Sequence, residues 1–64
     1  MQAGAIVDRG TIVRENDKGR FVVESWERDG VLSLPLSAPD GVAVGDGVLF
    51  CEFADGQGAI LCRL

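Results

Sequence analysis

Apolar and polar residues follow one another along this chain in short runs, and glycine-rich stretches separate the runs. Short β-branched or aromatic runs bounded by Gly, Asn, Asp and Pro are typical of β-strands. No longer stretch has the three-to-four-residue periodicity of an amphipathic helix. The pattern predicts an all-β chain with five strands, at residues 5–15, 20–26, 31–36, 48–53 and 59–64.

Side-chain alternation assigns one face of each predicted strand to a core, because successive residues of a strand point to opposite sides. In the second strand, Phe21 and Val23 are predicted to point inward and Trp26 outward. In the first strand, apolar residues occupy both parities, so the central Gly10 predicts a bulge or bend where the buried face changes. The third strand has the clearest inward set, which is Leu32, Leu34 and Leu36.

The last two strands form a predicted hairpin around the loop at residues 55–58. Glu52 and Arg63 are predicted to face solvent, so the residues that alternate with them are predicted to point into the core. A slip of one residue would expose the whole inward set of one strand. The inward residues are predicted to pair as Leu49 with Leu64, Cys51 with Cys62, and Phe53 with Ile60.

The two cysteines, Cys51 and Cys62, are interpreted as buried reduced thiols that act as small apolar side chains. A cross-strand disulfide stays open as an alternative, because the predicted register places the two residues opposite each other. The chain has no histidine, and a structural zinc site needs about four ligands, mostly Cys and His. We therefore expect no metal site.

No catalytic constellation is visible in the sequence. The acidic residues, including Asp8, are predicted in turns and on outer strand faces, whereas acid–base catalysis needs carboxylates held in a shared pocket. The glycine pairs at 45–47 and 56–58 precede no helical pattern, so a phosphate-binding loop is not expected. These features predict a protein that is not an enzyme and uses no cofactor.

With 64 residues, the chain is predicted to form one domain that spans residues 1–64. Five short strands at close spacing predict a small closed barrel. The long first strand and the long connection at 37–47 favour a five-stranded Greek-key barrel of the OB type, without the helix usual between strands three and four. An SH3-like barrel is the alternative.

The formal net charge is −4, so the basic footprint of a nucleic-acid-binding protein is missing and such a partner is not favoured. No apolar run approaches the roughly 20 residues of a membrane span, and the first residues lack the basic start of a signal peptide. We therefore expect synthesis in the cytoplasm. The alternative function is a module that binds single-stranded nucleic acid through Arg20, Arg28 and Trp26.

Exposed apolar residues indicate the favoured function. Trp26 is predicted on an outer face near a strand end, and tryptophan is enriched at interface hot spots. Phe50 has the same outward parity as Glu52, and Val31 is placed near the same contact. Because an exposed apolar patch on a small acidic domain indicates assembly, the predicted protein-interface residues are Trp26, Phe50 and Val31.

Six short segments follow one another in a distinctive order: Gly10–Val13, Arg20–Glu24, Asp29–Gly30, Leu34–Leu36, Val44–Phe50 and Asp55–Leu61. This order resembles the OB domain of phage baseplate hub and spike proteins, in which a G-T-V strand, a dG…lP segment, a vGd-V-lv segment and a final G-x-V-L segment occur. It is also similar to short tail-associated proteins of prophages that end in a comparable hairpin. The resemblance covers about residues 10–64.

The resemblance implies a structural role, as a barrel that docks in a phage tail, baseplate or related injection apparatus, often around a threefold or higher axis. Its partners would be copies of itself or tail proteins, and it would become part of a virion or injection particle. Spike proteins continue into a long β-helical needle, whereas this sequence stops at Leu64. We therefore expect an adaptor, a plug or ring component, or an isolated barrel with another duty.

Overall fold

The computed structural model describes residues 5–64, which contain four β-strands and no helix. They form one antiparallel sheet in the order β2-β1-β3-β4. The all-β prediction is confirmed, but the prediction of a closed five-stranded barrel is wrong, because the sheet has four strands and does not close. The strands are β1 (Ala5–Glu15), β2 (Phe21–Ser25), β3 (Gly47–Phe53) and β4 (Gly58–Arg63).

The predicted third strand, at residues 31–36, is an irregular segment that follows the free edge of β2. Its ladder is broken because the Ser33 hydroxyl, instead of a backbone carbonyl, accepts the hydrogen bond of the Val23 N–H at 2.9 Å. Pro35 also lacks a backbone donor. Isolated bridges remain, from Leu32 to Glu24, from Leu36 to Phe21 and from Ser37 to Ala59.

The inward assignment of the three leucines is wrong for two of them. Leu32 and Leu34 are 49% and 57% exposed, whereas Leu36 is fully buried. Without a regular strand, the alternation from which the assignment was made does not apply over this segment.

The long strand β1 serves two partners, as its length suggests. Its first half pairs with β3, and its second half pairs with β2. Gly10 lies where the two pairings overlap, and a Cβ there would overlap the carbonyl oxygen of Glu24. The register shift lies between Ile12 and Arg14 rather than at Gly10. Gly10 therefore permits the close approach of β2.

The predicted phase of β3 is wrong by one residue. Val48 and Phe50 are fully buried, whereas Phe53 is 50% exposed and Leu49 and Cys51 are half-buried. β3 is apolar at both parities, so alternation alone could not fix its inner face. Burying the aromatic ring of Phe50 removes more apolar surface from water than burying the Cys51 side chain does.

The hairpin register also differs from the predicted one. Cys51 pairs with Ala59 and Leu49 pairs with Cys62, because a register shift at Leu49/Phe50 leaves Leu61 as an extra residue in β4. The cysteines are therefore not opposite each other, and both are free. The interpretation as buried thiols is wrong, since Cys51 is half-buried and Cys62 is exposed.

One core lies between the inner face of the sheet and the segment after residue 35. Its inward members include Phe21, Val23 and Ile60, as predicted. Val42 and Ala38 pack against it from the connection before β3. The buried cluster consists of Ile12, Phe21, Val23, Leu36, Val48, Phe50 and Ile60.

Candidate protein interface

Trp26 follows the last residue of β2 and lies half-exposed on the sheet, with 51% of its surface accessible. Its indole Nε1 donates a hydrogen bond to Thr11 Oγ1 at 2.7 Å, and its backbone N–H donates to the Arg9 carbonyl at 2.9 Å. The ring also covers Gly47, where an added Cβ would lie 3.1 Å from Cζ2. Trp26 is thus fixed in place, and half of it remains available for contact.

The three predicted interface residues do not form one surface. Val31 is 49% exposed, at the end of the turn that follows Trp26. Phe50 is fully buried, so the prediction that it faces solvent is wrong. Its burial follows from the phase of β3, in which Phe50 shares the inner face with Val48. Trp26 and Val31 remain exposed candidates.

A polar cluster lies at one end of the sheet's inner face, where β1 and β3 contact the turn after β2. Asp8 is only 7% exposed, so its assignment to an outer face is wrong. Its Oδ2 accepts hydrogen bonds from Ser25 Oγ at 2.7 Å and from Arg28 Nε at 3.0 Å. Arg28 also donates through Nη2 to Glu52 Oε1. Arg28 therefore joins two carboxylates and fastens the turn to the sheet.

The electrostatics of this cluster favour the ionised form of Asp8. Burial alone would raise the pKa of the Asp8 carboxyl, but the hydrogen bonds from Ser25, the Arg9 N–H and Arg28 outweigh it and lower the pKa below its usual value. The ionised Asp8 carboxylate therefore holds Arg28, and through it the turn after β2.

The outer face of β1, β3 and β4 is the largest feature that sequence reasoning missed. Val7 lies directly opposite Cys51, and Leu49 lies directly opposite Cys62, so these side chains are within contact distance of their cross-strand neighbours. We call this surface the cysteine face and define it by Val7, Leu49, Cys51, Phe53, Leu61 and Cys62.

The cysteine face is apolar and open. Val7 is 61% exposed, Phe53 50% and Leu61 48%. The neighbouring outward position of β1 holds Arg9, whose guanidinium is engaged with Glu27 at the rim. The signal that could have revealed this face is the near-continuous apolar sequence of β3, which is typical of strands that are covered on both sides.

A shallow cleft of about 400 Å³ lies at another place, between the β1–β2 turn, the irregular segment and the β3–β4 turn. Lys18 and Arg20 line it, and within residues 5–64 neither forms an ion pair. Leu34 and Pro35 supply its apolar wall. The cleft is the one described site that combines cationic and apolar groups for a ligand.

Over the part of the chain that the structure describes, no group of three or more Cys, Asp and Glu side chains is arranged to hold a metal ion. Nor does any helix in residues 5–64 have the length and apolar character needed to cross a membrane. Comparison with protein-family models gives no match, and comparison with curated proteins gives no significant match. The surfaces described above therefore supply the functional argument.

Proposed function

We propose that this chain is a structural protein that acts by protein–protein association, as an OB-like component of a prophage tail or baseplate. The observation that supports association is the exposed apolar surface of so small a domain. The cysteine face places six apolar side chains on three neighbouring strands, four of them exposed and two half-buried. Contiguous apolar surface of this kind marks interaction sites in soluble proteins.

The OB-like part of the proposal is supported by the contacts of the irregular segment. Leu36 bridges to Phe21 in β2, and Ser37 bridges to Ala59 in β4. The Ile60 N–H donates to the Ser37 carbonyl at 2.8 Å. The segment therefore touches both outer strands of the sheet, as a further strand of a partly open Greek-key barrel would.

Sedimentation velocity of the full chain and of Trp26→Ala tests association and the contribution of the tryptophan. We expect the wild-type protein to sediment as an oligomer at high concentration and Trp26→Ala to need a higher concentration than wild type to form the same oligomer. Unchanged assembly of Trp26→Ala would remove Trp26 from the interface. A wild-type protein that stays monomeric alone and in the presence of tail proteins would contradict the proposal.

The prophage part has an independent test in the genome. Genes for tail components beside the gene of this chain would support it, and their purified products are then the partners to mix with the chain. If the neighbouring genes have unrelated functions and the chain still self-associates, the association function stands and the prophage assignment is wrong.

The second candidate is binding of single-stranded nucleic acid, which the cleft with Lys18 and Arg20 favours. Arg28, one of the three residues proposed for this role, is held by Asp8 and Glu52 and is not free to bind phosphate. A titration with a labelled oligonucleotide at low and high salt tests this function, because phosphate contacts make affinity fall steeply with salt. Absence of binding at low salt would exclude it.

A further inference from the structure

The composition of β3 suits a strand that is covered on both of its faces. In an antiparallel sheet with one solvated face, apolar inward residues alternate with polar outward residues. β3 departs from this rule, because Val48 and Phe50 fill its inner face while Leu49 and Cys51 occupy its outer face. A strand with this composition is typical of a sheet that is covered on both sides.

The charge distribution limits what the cover can be. The chain has ten acidic residues, six basic residues and a net charge of −4, so two copies carry like net charge. Within residues 5–64, no Asp or Glu points outward from β3, from β4 or from the part of β1 before its register shift. The cysteine face is therefore a surface on which two acidic copies can approach each other.

Self-complementarity points in the same direction. In a twofold dimer the same patch of each subunit meets itself. A patch that relied on one sign of charge would repel its own copy, whereas an uncharged apolar patch accepts it. Arg9, at the neighbouring outward position of β1, is already engaged with Glu27 at the rim.

The size of the patch fits a weak and reversible contact. The six side chains form a small apolar patch, in which Leu49 and Cys51 are half-buried. Two such patches with their rims stay near or below the roughly 1,200 Å² that separates transient from stable interfaces. Pairing should therefore depend on protein concentration.

We propose that a second copy of this chain covers the cysteine face, with the two faces packed about a twofold axis. This inference rests on the proposed association function and names the surface and the partner. Cys62 lies in the contact, so its thiol is accessible in the monomer and shielded in the dimer.

The test is the rate at which a maleimide alkylates Cys62 in the wild-type full chain, with the alkylated residue identified by peptide mass spectrometry. At about 100 times the dimer dissociation constant, mass action leaves few monomers, and we expect alkylation about tenfold slower than in dilute solution. Val7→Glu places a carboxylate on each facing patch and should abolish this concentration dependence. Val44→Glu, at a valine of similar exposure (54% against 61% for Val7) in the connection before β3 and outside the face, is the matched control and should retain it.

Each other result has a defined meaning. If the protein associates but Cys62 reacts at the same rate at every concentration, the cysteine face is not the interface, although the association function stands. Loss of association in Trp26→Ala but not in Val7→Glu would likewise overturn the inference and move the interface to Trp26 and the turn that follows it. A wild-type chain that is monomeric throughout would overturn the inference as well, and mixing it with tail proteins then decides the association function separately.

Discussion

The two faces of β3 have nearly the same composition and opposite environments. On the inner face, Phe50 has no accessible surface. On the outer face, Phe53 is 50% exposed, and half-buried Leu49 and Cys51 lie beside it. The same strand therefore has a face that the chain itself covers and a face that the chain leaves open.

Apolar content alone therefore does not define the core of a small sheet. The inner face is covered because the chain folds Leu36 and Val42 over it. Within residues 5–64, Val7, Phe53 and Leu61 of the outer face stay 48–61% exposed, and small domains often gain further burial from other subunits. The outer face therefore indicates a partner.

Matched substitutions on the two faces of β3 should lower the free energy of unfolding by very different amounts. Phe50→Ala removes a fully buried ring and should lower the free energy of unfolding by about 3–5 kcal/mol. Phe53→Ala removes an equally large ring that is half-exposed, and should cost less than about 1.5 kcal/mol in dilute solution. Urea unfolding monitored by circular dichroism measures both. Equal losses would contradict the assignment of the two faces.

Much of the fold could be predicted from sequence because the strands are punctuated by turn residues. The positions of β1, β2 and the last hairpin follow from glycines and short apolar runs, and the inward residues Phe21, Val23 and Ile60 follow from alternation. These predictions depend on local pattern, and the local pattern is clear in these segments.

The errors arose where the deciding contact is distant in sequence. Ser33 replaces a backbone acceptor opposite Val23, and no local pattern reveals that the third strand is thereby broken. The extra residue Leu61 shifts the hairpin register. Asp8 is buried because Arg28 reaches it from 20 positions away, and a charged residue without a known partner is normally assigned to the surface.

The stability of the fold should depend more on a buried ion pair than on an exposed one. Asp8→Asn removes the charge that Arg28 meets on the inner face and should destabilise the fold by about 1–3 kcal/mol. Glu27→Gln breaks the pair of Arg9 and Glu27, whose side chains are 54% and 53% exposed, and should cost less than about 1 kcal/mol. Thermal unfolding of both variants measures the difference. A larger loss for Glu27→Gln would show that the polar cluster does not hold the turn.

The pH dependence of stability follows from the lowered pKa of Asp8. A carboxyl whose pKa is lower in the folded state stabilises the fold above its unfolded-state pKa of about 3.9. This contribution is lost as the pH falls through the folded-state pKa. Wild type should therefore lose more stability than Asp8→Asn between about pH 5 and pH 2. Parallel curves for the two proteins would mean that Asp8 is not stabilised by its hydrogen bonds.

Light scattering over a concentration series measures the native mass and so tests directly whether the outer face is an association surface. For the wild-type chain we expect the mass to rise from the monomer value of 6.8 kDa toward twice that value. The Phe53→Asp variant, which carries a charge on the outer face of β3, should remain a monomer over the same range. A wild-type mass that stays at the monomer value, or the same rise in both proteins, would contradict the claim that the outer face is an association surface.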